Sequence, residues 1–250
     1  MNEIGELAQD FLNILLKISV CLNNMSNWLL FEGNDSEADI SLHLNDSKEL
    51  SETTCEINQP KIVLASSSEN RLALLKQIGI TPFLVRPSTY AEDLSRSLNI
   101  KEFVEETAKQ KAEQVEGELK NEKIEFDLLI ACDTMISIEG RLIGKPLNNN
   151  DAFNILKSLD GRKHQVRTGI CLINKKGKKI SFSVETEVEF GRNGDKLIWN
   201  YINTGEAMNR AGAYAIQGKG AALIKAVYGS YTNVVGIPLN ELIEKIRNSL

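Results

Sequence analysis

The chain has 250 residues, 42% hydrophobic and 25% charged, with a formal net charge of −5. That composition is globular and suits one large domain or two small ones. No Lys/Arg stripe interleaved with aromatics occurs, which argues against a nucleic-acid partner. The only histidines, His43 and His164, argue against a histidine-rich zinc site.

The charge is unevenly spread. Residues 1–59 carry 11 acidic against 2 basic side chains, and residues 60–250 carry 23 acidic against 27 basic. The mild positive excess of the larger part suits a small anionic ligand. Residues 6–22 repeat Leu7, Phe11, Ile14, Leu15, Ile18 and Leu22 at helical spacing. The apolar stretch is too short, and too interrupted by Lys17, to span a bilayer, and it has no basic leader. From Glu32 to Glu56 the chain is acidic and rich in Ser and Asn, and reads as a disordered linker. The expected division is therefore residues 1–58, an N-terminal helix plus linker, and residues 59–250, the folded domain. Cys21, Cys55, Cys132 and Cys171 are not paired at metal-ligand spacing. Free thiols in a reducing, cytoplasmic compartment are the expectation.

Ile62–Ala65 is an apolar run fit for a buried strand. Ser66, Ser67 and Ser68 follow, then a helical pattern with Leu72, Leu75 and Ile78 on one face and Gly79 as the stop. A strand turning through small hydroxyl residues into a helix start is a place for an anion, and Arg71 can aim a cationic fork at it. An ordinary turn with Ser68 as N-cap explains the same residues. Thr81–Val85 is a second short strand. Residues 100–120 are helical, with Lys111 on or beside the apolar stripe as a snorkelling or a functional lysine. Phe126–Ile130 is the strongest buried strand. It runs into Asp133-Thr134 and then Met135–Ile138. An acid at the end of an apolar strand must be paired or bind a cation, which makes Asp133 the leading catalytic or metal-binding candidate. Glu139-Gly140 turns the chain back toward Lys145, held between Gly144 and Pro146.

Asp151–Leu159 is a short helix capped near Asn150 or Asp151. Gln165–Asn174 and Ile180–Phe190 are two long strands joined by a basic hairpin. Leu197–Ile202 starts a helix that stops at Thr204-Gly205-Glu206. The glycines between Arg210 and Gly220, with a buried-looking Gln217, suggest backbone that approaches a ligand closely. Gly229–Gly236 reads as another such turn. Pro238 opens a last amphipathic helix.

Several separated blocks, in order, resemble the Maf family of nucleoside triphosphate pyrophosphatases. They are Leu64-Ala65-Ser66-x-Ser68-x-x-Arg71, Glu92, Glu106–Ala112, Asp133-Thr134, Gly144-Lys145-Pro146, Gly161 with His164, Val166, Thr168 and Gly169, Thr204-Gly205-Glu206, Ala211–Gly218, and Gly229–Leu239. Together they cover about residues 61–250, and ordered, correctly spaced matches are far more specific than any single motif. The resemblance implies an α/β fold of the Maf and inosine triphosphatase type, a central mixed twisted sheet flanked by helices, with two lobes and a cleft between. It implies hydrolysis of a nucleoside triphosphate to the monophosphate and pyrophosphate with Mg²⁺ or Mn²⁺. Ser66, Ser68, Arg71, Lys111 and Lys145 would hold the substrate, Glu92 and Asp133 the metal, and Asp133 would also be the general base. Asn70, Thr134 and Gln217 fall at the specificity positions. The last two resemble the branch acting on dTTP, UTP and modified pyrimidine nucleotides. The alternatives are a 7-methyl-GTP or inosine-type enzyme and a weakly active nucleotide-binding homologue. A homodimer is open to it, and neither nucleic acid nor a membrane is an expected partner. The chain departs from the family's Ser-x-Ser-Pro-Arg-Arg loop, with Glu69 for proline and Asn70 for the first arginine. Asn209-Arg210 stands where Asp-Lys is usual.

Overall fold

In the computed structural model the described residues are 60–91 and 99–249. The helix expected at 6–22, the acidic linker and Glu92 lie outside them. Strand β1 (Ile62–Ala65) is buried at all four positions, as an unbroken apolar run requires when both faces are covered. It leads through the serines into helix α1 (Glu69–Gln77), and Ser68 is indeed its N-cap. Glu69 occupies the first helical position, where a carboxylate complements the helix dipole. The buried face of α1 is Leu74 and Leu75, with Leu72 and Ile78 only half-buried. Its first turn borders a cleft, so the stripe is covered only from the second turn on. Gly79 ends the helix at φ 78°. Of the strand expected over 81–85, only β2 (Leu84–Val85) pairs, parallel to β1.

Helix α2 (Ile100–Asn121) is capped by Asn99 and buries Phe103, Val104, Thr107, Ala108, Ala112, Val115 and Leu119. Strand β3 (Leu128–Ile138) does not stop at Asp133 but runs eleven residues through it, then turns back into β4 (Arg141–Ile143). Helix α3 (Asn149–Leu159) is capped by Asn148, not by Asn150 or Asp151. The Asn148 side chain reaches the amide of Asp151, three residues on. Strands β5 (Lys163–Asn174) and β6 (Lys179–Phe190) form the long hairpin. Helix α4 (Gly194–Ile202) follows. Strand β7 (Ile224–Tyr228) is additional to the elements expected from the pattern, and Tyr231–Val235, expected as a turn, is the short helix α5 capped by Ser230. Helix α6 (Leu239–Ser249) closes the chain.

The mixed seven-stranded sheet has the order β2-β1-β3-β5-β6-β7, with β4 off this path and paired to the far end of β3. Helix α2 packs on one face over Val63, Ala65, Leu129, Ala131, Cys171 and Ile173. A second core, around Ile136, Leu156, Val166, Val188, Phe190 and Ile202, joins the other end of the sheet to α3 and α4. Strand β3 belongs to both. On one edge it pairs with β1 up to Ala131 and with β4 from Ile136 onward. Between these, residues 132–135 keep a strand neighbour only on the β5 side. The cleft opens in that gap, as open sheets place ligands where neighbouring strands diverge.

Candidate functional site

A cleft of about 940 Å³ is lined by Ser66–Arg71, Ser88, Tyr90, Lys111, Cys132–Ile136, Gly144, Lys145, Val166, Met208–Ala211, Tyr214–Gln217 and Val234–Gly236. It gathers every site residue expected from the sequence except Glu92, which lies outside the described residues.

Adjacent residues of a strand face opposite sides of a sheet, so Asp133 and Thr134 serve different walls. Asp133 is buried, and its Oδ1 accepts from Lys111 Nζ at 2.7 Å, with side-chain exposures of 8% and 14%. The helix can bring Lys111 there because Gly169, opposite Asp133 on β5, has no side chain. A Cβ on Gly169 would overlap the carbonyl of Val104 in α2. The lysine read as snorkelling or functional is thus inside, on a carboxylate. Asp133 Oδ2 is buried and has no hydrogen-bond partner, a condition that costs free energy unless a ligand completes it.

Thr134 faces the other way, toward Arg71. The guanidinium reaches three separate elements: Nε donates to the Gly236 carbonyl at 3.1 Å, one terminal nitrogen to Ser66 Oγ at 3.0 Å and the other to Thr134 Oγ1 at 2.9 Å. It ties the β1 loop, β3 and the end of α5 together, which a planar fork does well and a lysine would not. Three of its five N–H groups are spent on the protein. Ser66 Oγ also accepts from the Ser68 amide, and Ser68 Oγ from the Arg71 amide. The lone pairs of these hydroxyls shape the loop, while their protons remain available to a ligand.

The glycine-rich segment differs from its expectation. Gln217 is exposed on the cleft wall rather than buried. Its glycines answer contacts within the protein. A Cβ at Gly218 would overlap the Glu206 carboxylate, and one at Gly220 would lie 2.6 Å from the Ala215 carbonyl. Glu206 accepts from the amides of Lys219 and Gly220 at 3.1 and 2.9 Å. Burial pushes its pKa up, but these amides and the Tyr201 hydroxyl outweigh that and hold it below the usual carboxylate range. Behind the cleft wall, His164 Nε2 lies 2.8 Å from the Tyr214 hydroxyl, with the Phe190 ring edge-on to both. Burial lowers the His164 pKa to about 4, so the ring is neutral at pH 7. Burial raises the Cys132 thiol to about 11, which removes it as a nucleophile. Lys145 is exposed at the cleft, next to Gly144, whose carbonyl accepts from the Gly212 amide at 3.1 Å.

A hard divalent cation fits this donor set. Among the described residues no cluster of three or more His, Cys, Asp or Glu side chains is found. Mg²⁺, however, asks only one or two carboxylates and takes its other oxygens from water and phosphate. The orphaned Asp133 Oδ2 is such a donor.

Sequence reasoning missed Thr168, Asn233 and Glu206 as contributors to the site. Thr168 and Asn233 fall in the family blocks, but their roles come from strand register and loop packing that those blocks do not spell out. Glu206 stands in one of the family blocks, Thr204-Gly205-Glu206, but nothing in that block tells which backbone amides it holds.

A mixed α/β sheet with a polar cleft at a strand gap, walled by a serine loop, an arginine staple and a buried Lys–Asp pair, defines a protein built to hold an anionic ligand. The Maf-like protein family model matches residues 61–249, and the chain belongs to that family. It is 41% identical over 183 residues to the dTTP/UTP pyrophosphatase of Caldicellulosiruptor bescii, covering 73% of this chain and 91% of the relative. To the dTTP/UTP pyrophosphatase of Thermococcus onnurineus it is 41% identical over 186 residues, covering 74% and 96%. Among solved structures, a nucleoside-triphosphatase, dITP/XTP pyrophosphatase from Mycobacterium abscessus aligns at 17% identity and a TM-score of 0.33, over 53% of this chain and 78% of its own. Among the described residues no helix is long and apolar enough to cross a membrane.

Proposed function

We propose that this chain hydrolyses pyrimidine nucleoside triphosphates of the dTTP and UTP type to the nucleoside monophosphate and pyrophosphate. The observation that carries this reading is the Asp133 carboxylate. One oxygen is fixed by Lys111 and the other is buried without a partner, beside a serine loop, inside a cleft large enough for a nucleotide. The relatives named for dTTP and UTP support the substrate class. Gln217, whose amide both donates and accepts, suits a pyrimidine edge.

In this reading Asp133 orients a water toward the α-phosphorus and takes its proton as the bond to the β-phosphate oxygen breaks. The protons of Ser66 and Ser68, Lys111 and Lys145 hold phosphate oxygens as negative charge shifts to the leaving pyrophosphate. Asp133 with Glu92 would hold Mg²⁺ or Mn²⁺, which would supply charge neutralisation on the phosphate oxygens. Catalysis belongs to residues 59–250, in a reducing, cytoplasmic setting compatible with the buried thiols Cys132 and Cys171.

The test is pyrophosphate release from a panel of dTTP, UTP, CTP, 7-methyl-GTP and ITP with Mg²⁺ or Mn²⁺. Turnover of dTTP and UTP above the others is expected. A protein that leaves both intact overturns the reading. Removal of residues 1–58 with turnover retained supports the division of the chain.

A further inference from the structure

Thr134 and Thr168 are directly opposed across β3 and β5, with their hydroxyl oxygens 3.0 Å apart. Those two atoms leave it open which one donates, but their neighbours settle it. Thr168 is fully buried, and its hydroxyl donates to the carbonyl of Asn233 at 3.1 Å. A carbonyl can only accept, so the Thr168 proton is spent there. The Asn233 carbonyl is itself held in place, because the Asn233 side-chain amide donates to Val166 O and Thr186 Oγ1 and its backbone amide to Ser230 Oγ. At the other end stands Arg71, which can only donate. The chain of bonds therefore has one polarity: Arg71 to Thr134, Thr134 to Thr168, Thr168 to Asn233. The Thr134 proton is committed inward and one of its lone pairs is taken. What Thr134 keeps for the cleft is a second lone pair.

We infer that Thr168 is a positioning residue for nucleobase choice, holding Thr134 as an obligate acceptor on the cleft wall. An acceptor there matches the imide N–H of a uracil or thymine ring. The corresponding ring nitrogen of cytosine carries a lone pair instead, and two lone pairs facing each other in a desolvated site are discriminated against. Gln217, on the same cleft, can turn its NH₂ to a neighbouring carbonyl of the base. The inference rests on the reading that a pyrimidine nucleotide occupies this cleft.

The test uses binding, so that it does not depend on turnover. Affinities for α,β-methylene-UTP and α,β-methylene-CTP are measured by calorimetry on the full chain and on Thr168→Val and Thr168→Ser. Valine keeps the shape but frees the Thr134 proton, which can then donate into the cleft. The UTP-to-CTP preference is expected to fall by about tenfold in Thr168→Val, while Thr168→Ser, which keeps the hydroxyl, stays within about twofold of the natural protein. A preference unchanged in Thr168→Val overturns the inference, and so does a loss as large in Thr168→Ser. Should Thr168→Val fail to fold, Thr168→Ala is read by the same criteria. A natural protein that binds both analogues equally also overturns it. One that prefers the uridine analogue yet releases no pyrophosphate from UTP sinks the hydrolytic reading alone.

Discussion

Lys111 Nζ and Asp133 Oδ1 meet at 2.7 Å between helix α2 and strand β3, both largely shielded from water. A charge-assisted bond in such a place orients the carboxylate, and losing either end leaves the other charge without its partner. Asp133→Asn keeps the shape but removes the base, and turnover should fall by a factor of about 100 to 10,000. Lys111→Met should cost turnover and also about 3 kcal/mol of stability, read from urea unfolding. An Asp133→Asn rate equal to the natural one would remove Asp133 from the chemistry.

His164 supplies a pH signature. Its folded-state pKa is near 4 against an ordinary 6.5. Between those values the unfolded chain takes up a proton that the folded chain refuses, so stability falls as pH drops through that window. The contribution is complete above about 6.5 and exhausted near 4. A shift of that size corresponds to roughly 3 kcal/mol. Urea midpoints of the natural protein should fall more steeply from pH 7 to pH 5 than those of His164→Gln. Parallel slopes would show that the ring protonates freely in the folded state.

Glu206 works in the usual carboxylate direction. Its folded pKa lies below the ordinary 4.5, so its stabilisation is present above that pH and lost as pH falls through the folded value. At neutral pH, Glu206→Gln replaces a charged acceptor with a neutral one at the Lys219 and Gly220 amides. A loss of about 1–3 kcal/mol is expected, together with a raised KM, since Gln217 sits on the loop that Glu206 anchors. Steady-state kinetics checks the second part, and an unchanged KM would detach Gln217 from that anchor.

Gly169→Ala should be worse than a methyl group suggests. The added carbon meets the Val104 carbonyl, which is backbone and cannot rotate away. Helix α2 must move, at a cost of about 1–3 kcal/mol, and Lys111 moves with it. Thermal unfolding and turnover should therefore fall together.

Much of this was legible in the sequence where period and capping speak locally. The strand before the serines, the long helix of residues 100–121 and the paired strands to either side of residue 177 all follow from their patterns. Strand β3 looks shorter in the sequence than it is, because Asp133-Thr134 breaks an apolar run that the backbone nevertheless continues. Helix α5 spans five residues, too few to show a helical period. The Arg71 fork was readable as a cation near the loop, but not as a staple, since Gly236 lies 165 residues away. Nor does any local pattern set Thr134 against Thr168, which depends on β-register. Within the serine loop the N-cap role of Ser68 and an anion-facing role are compatible, since one uses a lone pair and the other a proton.

The eleven continuous residues of β3 carry a constraint on descent. Asp133 turns toward α2 and Thr134 toward Thr168 only because they occupy consecutive places in an alternating strand. Inserting or deleting one residue ahead of them would exchange the carboxylate and the hydroxyl between the two walls. Substitutions can explore this segment one side chain at a time, but changes of length there would have to come in twos.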